Sequence, residues 1–258
     1  MRPRFLKKTP VETYQVGNKE LYVYRADLVP QPPLAPYLKM IELYPFLKLI
    51  ASRGFKTFGY YAIPESEWVV SVPSLAESVG MKAVIGISKT KVMPDYTKEI
   101  EDSLFLLSPN IYSVNFARTR KHVEGLKGYM APMGLACQEV VDGMTEFLSG
   151  SPLPKSDSYV VPTGSGVALC GILNHLKGKG KIVGVCTRPV NSVAKVVSKY
   201  SRFDNYSLCH RQTGKSREDL PFPMHPFWDQ NAFLWLQENL DSLKGSVTFV
   251  NLGSGATR

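Results

Sequence analysis

SYVVPTGSGVALCGIL (158–173) carries the strongest local signal in the chain. Ser158 to Pro162, rich in β-branched and aromatic residues, reads as a buried strand. It runs into Thr163-Gly164-Ser165-Gly166 and then, from Val167, into a helix of small and apolar residues. Glycines let a backbone turn tightly and approach a ligand closely. Amides freed at the following helix N-terminus then point at an anion, most naturally a phosphate. Thr163 and Ser165 can add hydroxyl donors. The spacing is neither GxGxxG nor GxxxxGK(S/T), which weakens dinucleotide and P-loop readings. The same residues also suit a tight strand-to-helix turn that holds no ligand.

Working outward, strand-like runs occur at LYVY (21–24), KTFGYYAI (56–63), KAVIGI (82–87), NIYSVNF (110–116), KIVGVC (181–186) and SVTFVN (246–251). Helix-like runs lie between them at 37–52, 66–79, 132–148, 166–177, 191–200 and 229–243. Such alternation predicts βα units and a mostly parallel sheet, hence an α/β fold. SGSPLPKSDS (149–158) reads as a connection and HRQTGKSREDLPFPMHP (210–226) as a surface loop.

The chain has 258 residues, 44% hydrophobic and 21% charged, which excludes a mainly disordered, collagen-like or coiled-coil protein. No apolar run approaches the ~18–20 residues needed to span a bilayer. MRPRFLKKTP at the start is basic without an apolar core behind it, unlike a secretory signal. A cytoplasmic protein that does not meet the membrane is the expectation. Cys137, Cys170, Cys186 and Cys209 form no CxxC pair and read as reduced thiols. His122, His175, His210 and His225 lack metal-ligand spacing, so no metal site is expected. The net charge of +9 favours phosphate-rich ligands, nucleic acid or anionic surfaces, and equally suits an ordinary basic protein.

Five segments in order resemble the pyridoxal-phosphate enzymes of the tryptophan-synthase-β fold, nearest the aminocyclopropane-carboxylate deaminase and D-cysteine desulfhydrase branch. In LYVYRADLVPQPPLAPYLKMIELYPFL a K-R-E-D-like strand end leads to Tyr37-Leu38-Lys39, where the family has G-N-K. Glu65-Ser66-Glu67-Trp68 falls on its Q-S-N-H segment, and VVPTGSGVALCGIL on its phosphate loop with KIVGVCTR following. HPFWDQNAFLWL resembles its D-P-V-Y-E-G-K segment, and TFVNLGSG its terminal strand and H-L-G-G turn. The resemblance implies two lobes with mostly parallel sheets flanked by helices. A smaller lobe spans 35–125 and carries the cofactor lysine; 1–34 and 126–258 form a larger lobe with the glycine loop. It also implies a homodimer.

By this resemblance Lys39 binds pyridoxal 5'-phosphate and serves as base at the substrate Cα. Ser66 contacts the substrate carboxylate or acts as nucleophile, with Glu67 beside it. Thr163, Gly164, Ser165, Gly166 and Val167 hold the cofactor phosphate. Trp228 packs near the ring, and Asp229 faces the pyridine nitrogen, with Ser254 as the alternative partner. A rival register puts the lysine at Lys56 in SRGFKTFGYY, at the price of a deletion before Gly80 and a lysine on an alternating strand. Read locally, Ser66 is also a helix N-cap and Asp229 a helix N-terminal carboxylate. Three positions depart from the family: Glu67 for asparagine, Trp68 for histidine or another aromatic, and Trp228 for tyrosine.

Basic clusters at Arg2-Arg4-Lys7-Lys8, Arg118-Arg120-Lys121, Lys177-Lys179-Lys181 and Arg211-Lys215-Arg217 permit a polymeric anionic substrate. Size, charge and the altered positions resemble compact bacteriophage enzymes of thymidine hypermodification, which cleave an amino-acid arm on the base. The principal reading is therefore Cα chemistry, decarboxylation or elimination, on an amino-acid group, with a thymine base in phage DNA as a candidate carrier. Two alternatives stand beside it: a deaminase or desulfhydrase of free small amino acids, and a non-catalytic cofactor-binding protein. A cofactor-free nucleic-acid-binding protein is the further class. Salt-sensitive retention of DNA, ammonia release and indifference to offered amines separate these readings.

Overall fold

The computed structural model describes residues 4–16, 18–30, 39–63, 66, 68–90, 95–211 and 220–253. In chain order the strands are β1 Val11–Val16, β2 Lys19–Arg25, β3 Thr57–Ala62, β4 Lys82–Ser88, β5 Leu104–Leu107, β6 Tyr129–Met130, β7 Ser158–Thr163, β8 Lys181–Cys186, β9 Tyr206–His210 and β10 Val247–Asn251. The helices are α1 Lys39–Ser52, α2 Trp68–Ser78, α3 Tyr112–Gly125, α4 Gln138–Gly150, α5 Val167–Leu176, α6 Val190–Tyr200 and α7 Asp229–Asn239.

Two sheets result. One runs β1-β2-β10-β7-β8-β9, antiparallel only at β1–β2. The other, β5-β4-β3-β6, is parallel throughout. Parallel strands need covered faces, and β7 and β10 are buried along their whole length. Successive side chains divide between the faces. Val160, Val183 and Phe249 pack with Phe233 and Leu236 of α7, while Tyr159, Val161 and Ile182 join a core with Leu169 and Leu173 of α5. That second core continues into Phe58, Tyr60 and Ala62 of β3, so both sheets share it. Each large apolar side chain there contributes about 1.5–3 kcal/mol on burial.

The end of β2 is fixed by charge. Arg25 donates from Nε and Nη2 to Asp27 at 2.9 and 2.8 Å and from Nη1 to Glu12 at 2.6 Å. A planar guanidinium suits such two-pronged pairing. It anchors the chain where β2 ends, upstream of Lys39.

The expected strand at 110–116 is a helix instead. Tyr112, Val114 and Phe116 alternate like a strand, but the window is too short to separate periods of 2 and 3.6. The buried set Asn115, Phe116, Thr119 and Val123 has helical spacing and lays α3 on the four-stranded sheet. Gly86 allows the close approach: a Cβ there would meet Thr119 Oγ1 at 2.0 Å. Strands β1, β5, β6 and β9 escaped the sequence reading because they are short or half-exposed. The run 132–148 divides into a 3₁₀ turn at Met133–Leu135 and α4. Among the described residues no helix is long and apolar enough to cross a membrane.

Candidate functional site

A cleft opens where β7 and β10 end, lined by residues of the glycine loop, α1, α2, α5 and the start of α7. Its floor is the glycine loop. β7 delivers Thr163, and α5 begins at Val167. Gly166 takes φ +93°, a left-handed conformation that costs a side-chain-bearing residue about 1–2 kcal/mol. The first amides of a helix lack intrahelical acceptors, and the first turn of α5 carries no acidic residue to occupy them. The Thr163 hydroxyl donates to Val161 O at 2.9 Å, so its proton is committed to the backbone. Ser165 is partly buried in the loop and lines the cleft.

The walls come from distant parts of the chain. Lys39 is the first residue of α1, and its Nζ lies 5.6 Å from the ring centroids of both Trp68 and Trp228. Cation–π contact of this kind contributes roughly 0.5–2 kcal/mol. The Trp228 ring also closes on the loop: a Cβ at Gly164 would sit 3.3 Å from it. The Trp228 indole N–H is buried without a hydrogen-bond partner among the described residues, a loss of about 1–3 kcal/mol unless something accepts it.

Asp229, 1% exposed, opens α7 and lines the cleft. Its Oδ1 accepts the Leu252 N–H at 2.7 Å, tying α7 to the end of β10. The carboxylate is therefore a structural tie as well as a cleft group.

Ser66 lies outside the cleft lining; its side chain is hydrogen-bonded to Tyr60, whose phenol burial pushes upward in pKa. Lys56 is exposed at the amino end of β3. Glu67, Ser254, Glu65, Tyr37 and Leu38 lie outside the described residues, as do Arg2, Lys215 and Arg217 of the basic clusters. One acidic cleft residue went unnoticed in the sequence. Glu42, 1% exposed, stands one helical turn after Lys39 on the inward face of α1. The available signal was an acid at i+3 from the lysine within an apolar face.

No protein-family model matches the chain. A glycyl-dTMP PLP-dependent decarboxylase of Pseudomonas phage M6 is 22% identical over 283 residues, covering 96% of this chain and 99% of the phage protein. Among solved structures, an ACC deaminase homologue superposes with a TM-score of 0.81 at 18% identity, covering 99% of this chain and 93% of its own. The tryptophan-synthase-β-like pyridoxal-phosphate fold is present. A pyridoxal 5'-phosphate-dependent aspartate racemase also shares it, with a TM-score of 0.70 at 12% identity, covering 98% and 91%.

The cleft residues fit such a cofactor. They combine a primary amine, a glycine cradle with helix amides for a phosphate, two indoles for a planar ring and a buried carboxylate. The unaccepted Trp228 N–H adds a donor to the same wall.

Proposed function

We propose that this chain is a pyridoxal-phosphate-dependent lyase that breaks a bond at the Cα of an amino-acid group, with Lys39 carrying the cofactor. The observation that carries the reading is the convergence of Lys39, Trp68, Trp228, Asp229 and the glycine loop on one cleft. Bound there, the cofactor supplies the electron sink that makes Cα chemistry accessible.

The chain's own groups divide the remaining work. The backbone amides of the Thr163–Val167 segment would hold the cofactor phosphate, and the Lys39 amine would hold its aldehyde end. The Lys39 amine would also be the group placed to move a proton at the substrate Cα. Asp229, whose Oδ1 accepts the Leu252 N–H, would keep a proton on the pyridine nitrogen. Trp68 and Trp228, 4% and 7% exposed, exclude water and offer neither an acid nor a nucleophile at their positions.

Those walls favour decarboxylation over elimination. Loss of CO2 needs no acid for a leaving group: the C–C electron pair would stay with Cα, and Lys39 would deliver the proton that replaces the carboxylate. A dry, aromatic wall also weakens solvation of the carboxylate that departs. The phage relative, named for a glycyl group on dTMP, supports a nucleotide-linked glycine as the specific substrate. Phage DNA modification and a homodimer of two-lobed protomers, the smaller lobe near 35–125, complete the proposal.

The test is spectroscopic. Protein loaded with cofactor should show a visible band that borohydride bleaches, leaving a phosphopyridoxyl adduct on the Lys39 peptide and none in Lys39→Ala. An adduct on Lys56 would overturn the site, and no adduct on any lysine would overturn the enzyme reading. With substrate supplied, CO2 release without ammonia marks the decarboxylase, and ammonia with keto acid marks a deaminase.

A further inference from the structure

We propose that the indole N–H of Trp228 is a ligand-binding donor that hydrogen-bonds an anionic oxygen of what occupies the cleft. Its place against the glycine loop favours the cofactor phosphate as that oxyanion; the substrate carboxylate carries the same chemistry. The inference rests on the cleft being the site of that cofactor and its amino-acid substrate, and it adds a side-chain donor to the backbone amides of the loop.

Trp228 is 7% exposed and lines the cleft together with Gly164, Ser165 and Gly166. Its N–H is enclosed and finds no acceptor among the described residues. An indole nitrogen only donates, so no change of rotor or tautomer relieves it. The donors around it are matched. Asp229 N and Gln230 N both donate to His225 O, at 3.0 and 3.1 Å. Asn231 Nδ2 donates to Phe227 O at 2.9 Å, and Leu252 N to Asp229 Oδ1 at 2.7 Å. An enclosed donor left over from such a network calls for an acceptor that arrives with a ligand.

The indole is also fixed in place. Phe227 packs edge-on against it with ring centroids 4.5 Å apart. A Cβ on Gly164 would lie 3.3, 3.5 and 3.6 Å from its Cζ3, Cη2 and Cε3, so the bare glycine admits the six-membered ring against the loop. Around this ring the setting suits an oxyanion. Helix α5, ten residues long, starts at Val167 with no acid in its first turn, and its amino end attracts negative charge. Lys39 Nζ stands 5.6 Å from the Trp228 ring centroid. Yet Asp229 and Glu42, each 1% exposed, line the same cleft, so net charge alone does not hold an anion there. Directed N–H groups do, and Trp228 supplies one from a rigid ring. The source of the acceptor bears on the reaction. A phosphate leaves the substrate carboxylate against a dry wall, as decarboxylation requires, whereas a held carboxylate suits elimination.

The experiment reads the indole directly. The chain has three tryptophans, so nitrogen-labelled protein gives three indole N–H resonances in a proton–nitrogen correlation spectrum. Trp228→Phe keeps an aromatic ring, removes the donor and identifies its resonance by loss; Trp68→Phe and Trp235→Phe identify it by elimination if that variant does not fold. Inorganic phosphate, glycine and methylamine are titrated into protein with and without cofactor. With phosphate as the acceptor, inorganic phosphate should move the Trp228 resonance downfield, and Trp228→Phe should bind phosphate about tenfold more weakly by calorimetry. With carboxylate as the acceptor, glycine moves the resonance while methylamine, which lacks the carboxyl group, does not. A Trp228 resonance indifferent to both anions, with cofactor and without, would overturn the proposal. The phosphate arm needs no cofactor, so the absence of an adduct on Lys39 would sink the enzyme reading and leave this result standing.

Discussion

The glycine loop and the tryptophan wall form two sides of one cleft but are built on different principles. The loop is a matter of backbone: four consecutive residues between a buried strand and a helix, with Gly166 at φ +93° and Gly164 held against an indole. Its geometry is local, and any side chain added there interferes. The wall is a matter of side chains. Lys39, Trp68, Trp228 and Asp229 come from the starts of α1, α2 and α7 and the residue just before α7, and only packing brings them together. Damage to the loop should therefore be felt in anion binding, and damage to the wall in stability and chemistry together.

The largest expected effect breaks the wall. Trp228→Ala empties a nearly buried position and should cost about 3–5 kcal/mol in urea unfolding. A cost near zero would mean that the indole is not a packing element. Next comes Asp229. Asp229→Ala removes the acceptor of the Leu252 amide and should cost about 1–3 kcal/mol. Asp229→Asn keeps an oxygen there and should cost clearly less, while still shifting the absorption of bound cofactor. Equal destabilisation by both variants would show that charge, and not the tie to Leu252, holds the strand end.

Smaller still is Gly166→Ala, expected to cost about 1–2 kcal/mol through its left-handed backbone. Its larger signature should be weaker binding of inorganic phosphate by titration calorimetry. A variant that kept full phosphate affinity would remove the contrast between loop and wall. The smallest effect lies at the far end of the loop's helix. Burial, aided by Lys177 and Lys179, holds the His175 pKa below its ordinary value. The folded state then binds a proton less readily than the unfolded chain. Stability from this group is present above about pH 6.5 and falls as pH drops below it. His175→Gln should flatten that acid-side slope in pH-dependent melts without touching phosphate affinity.

Particular residues show why one side was legible in advance. VVPTGSGVALCGIL announces its strand, turn and helix because each step is set by neighbours along the chain. Lys39 was singled out by a resemblance of segments and lines the cleft, and its role there belongs to the proposal. Composition did not disclose Glu42, whose burial depends on α1 packing against α4 and α2. The misread stretch at 110–116 has the same origin. Three alternating apolar residues fit two periods, and contact with Gly59 and Gly86 on the sheet selects the helical one.

By itself, then, the amino-acid sequence determined the alternation of strands and helices and the tight turn that joins β7 to α5. These depend on local conformation and on apolar periodicity, both written in short windows. Tertiary structure alone decided which side chains meet. It joined two sheets through one core, set Lys39 between two indoles, turned Ser66 to Tyr60 and buried Glu42 in the cleft wall. Those outcomes follow from close packing among residues far apart in the chain, where each neighbour's shape restricts the others.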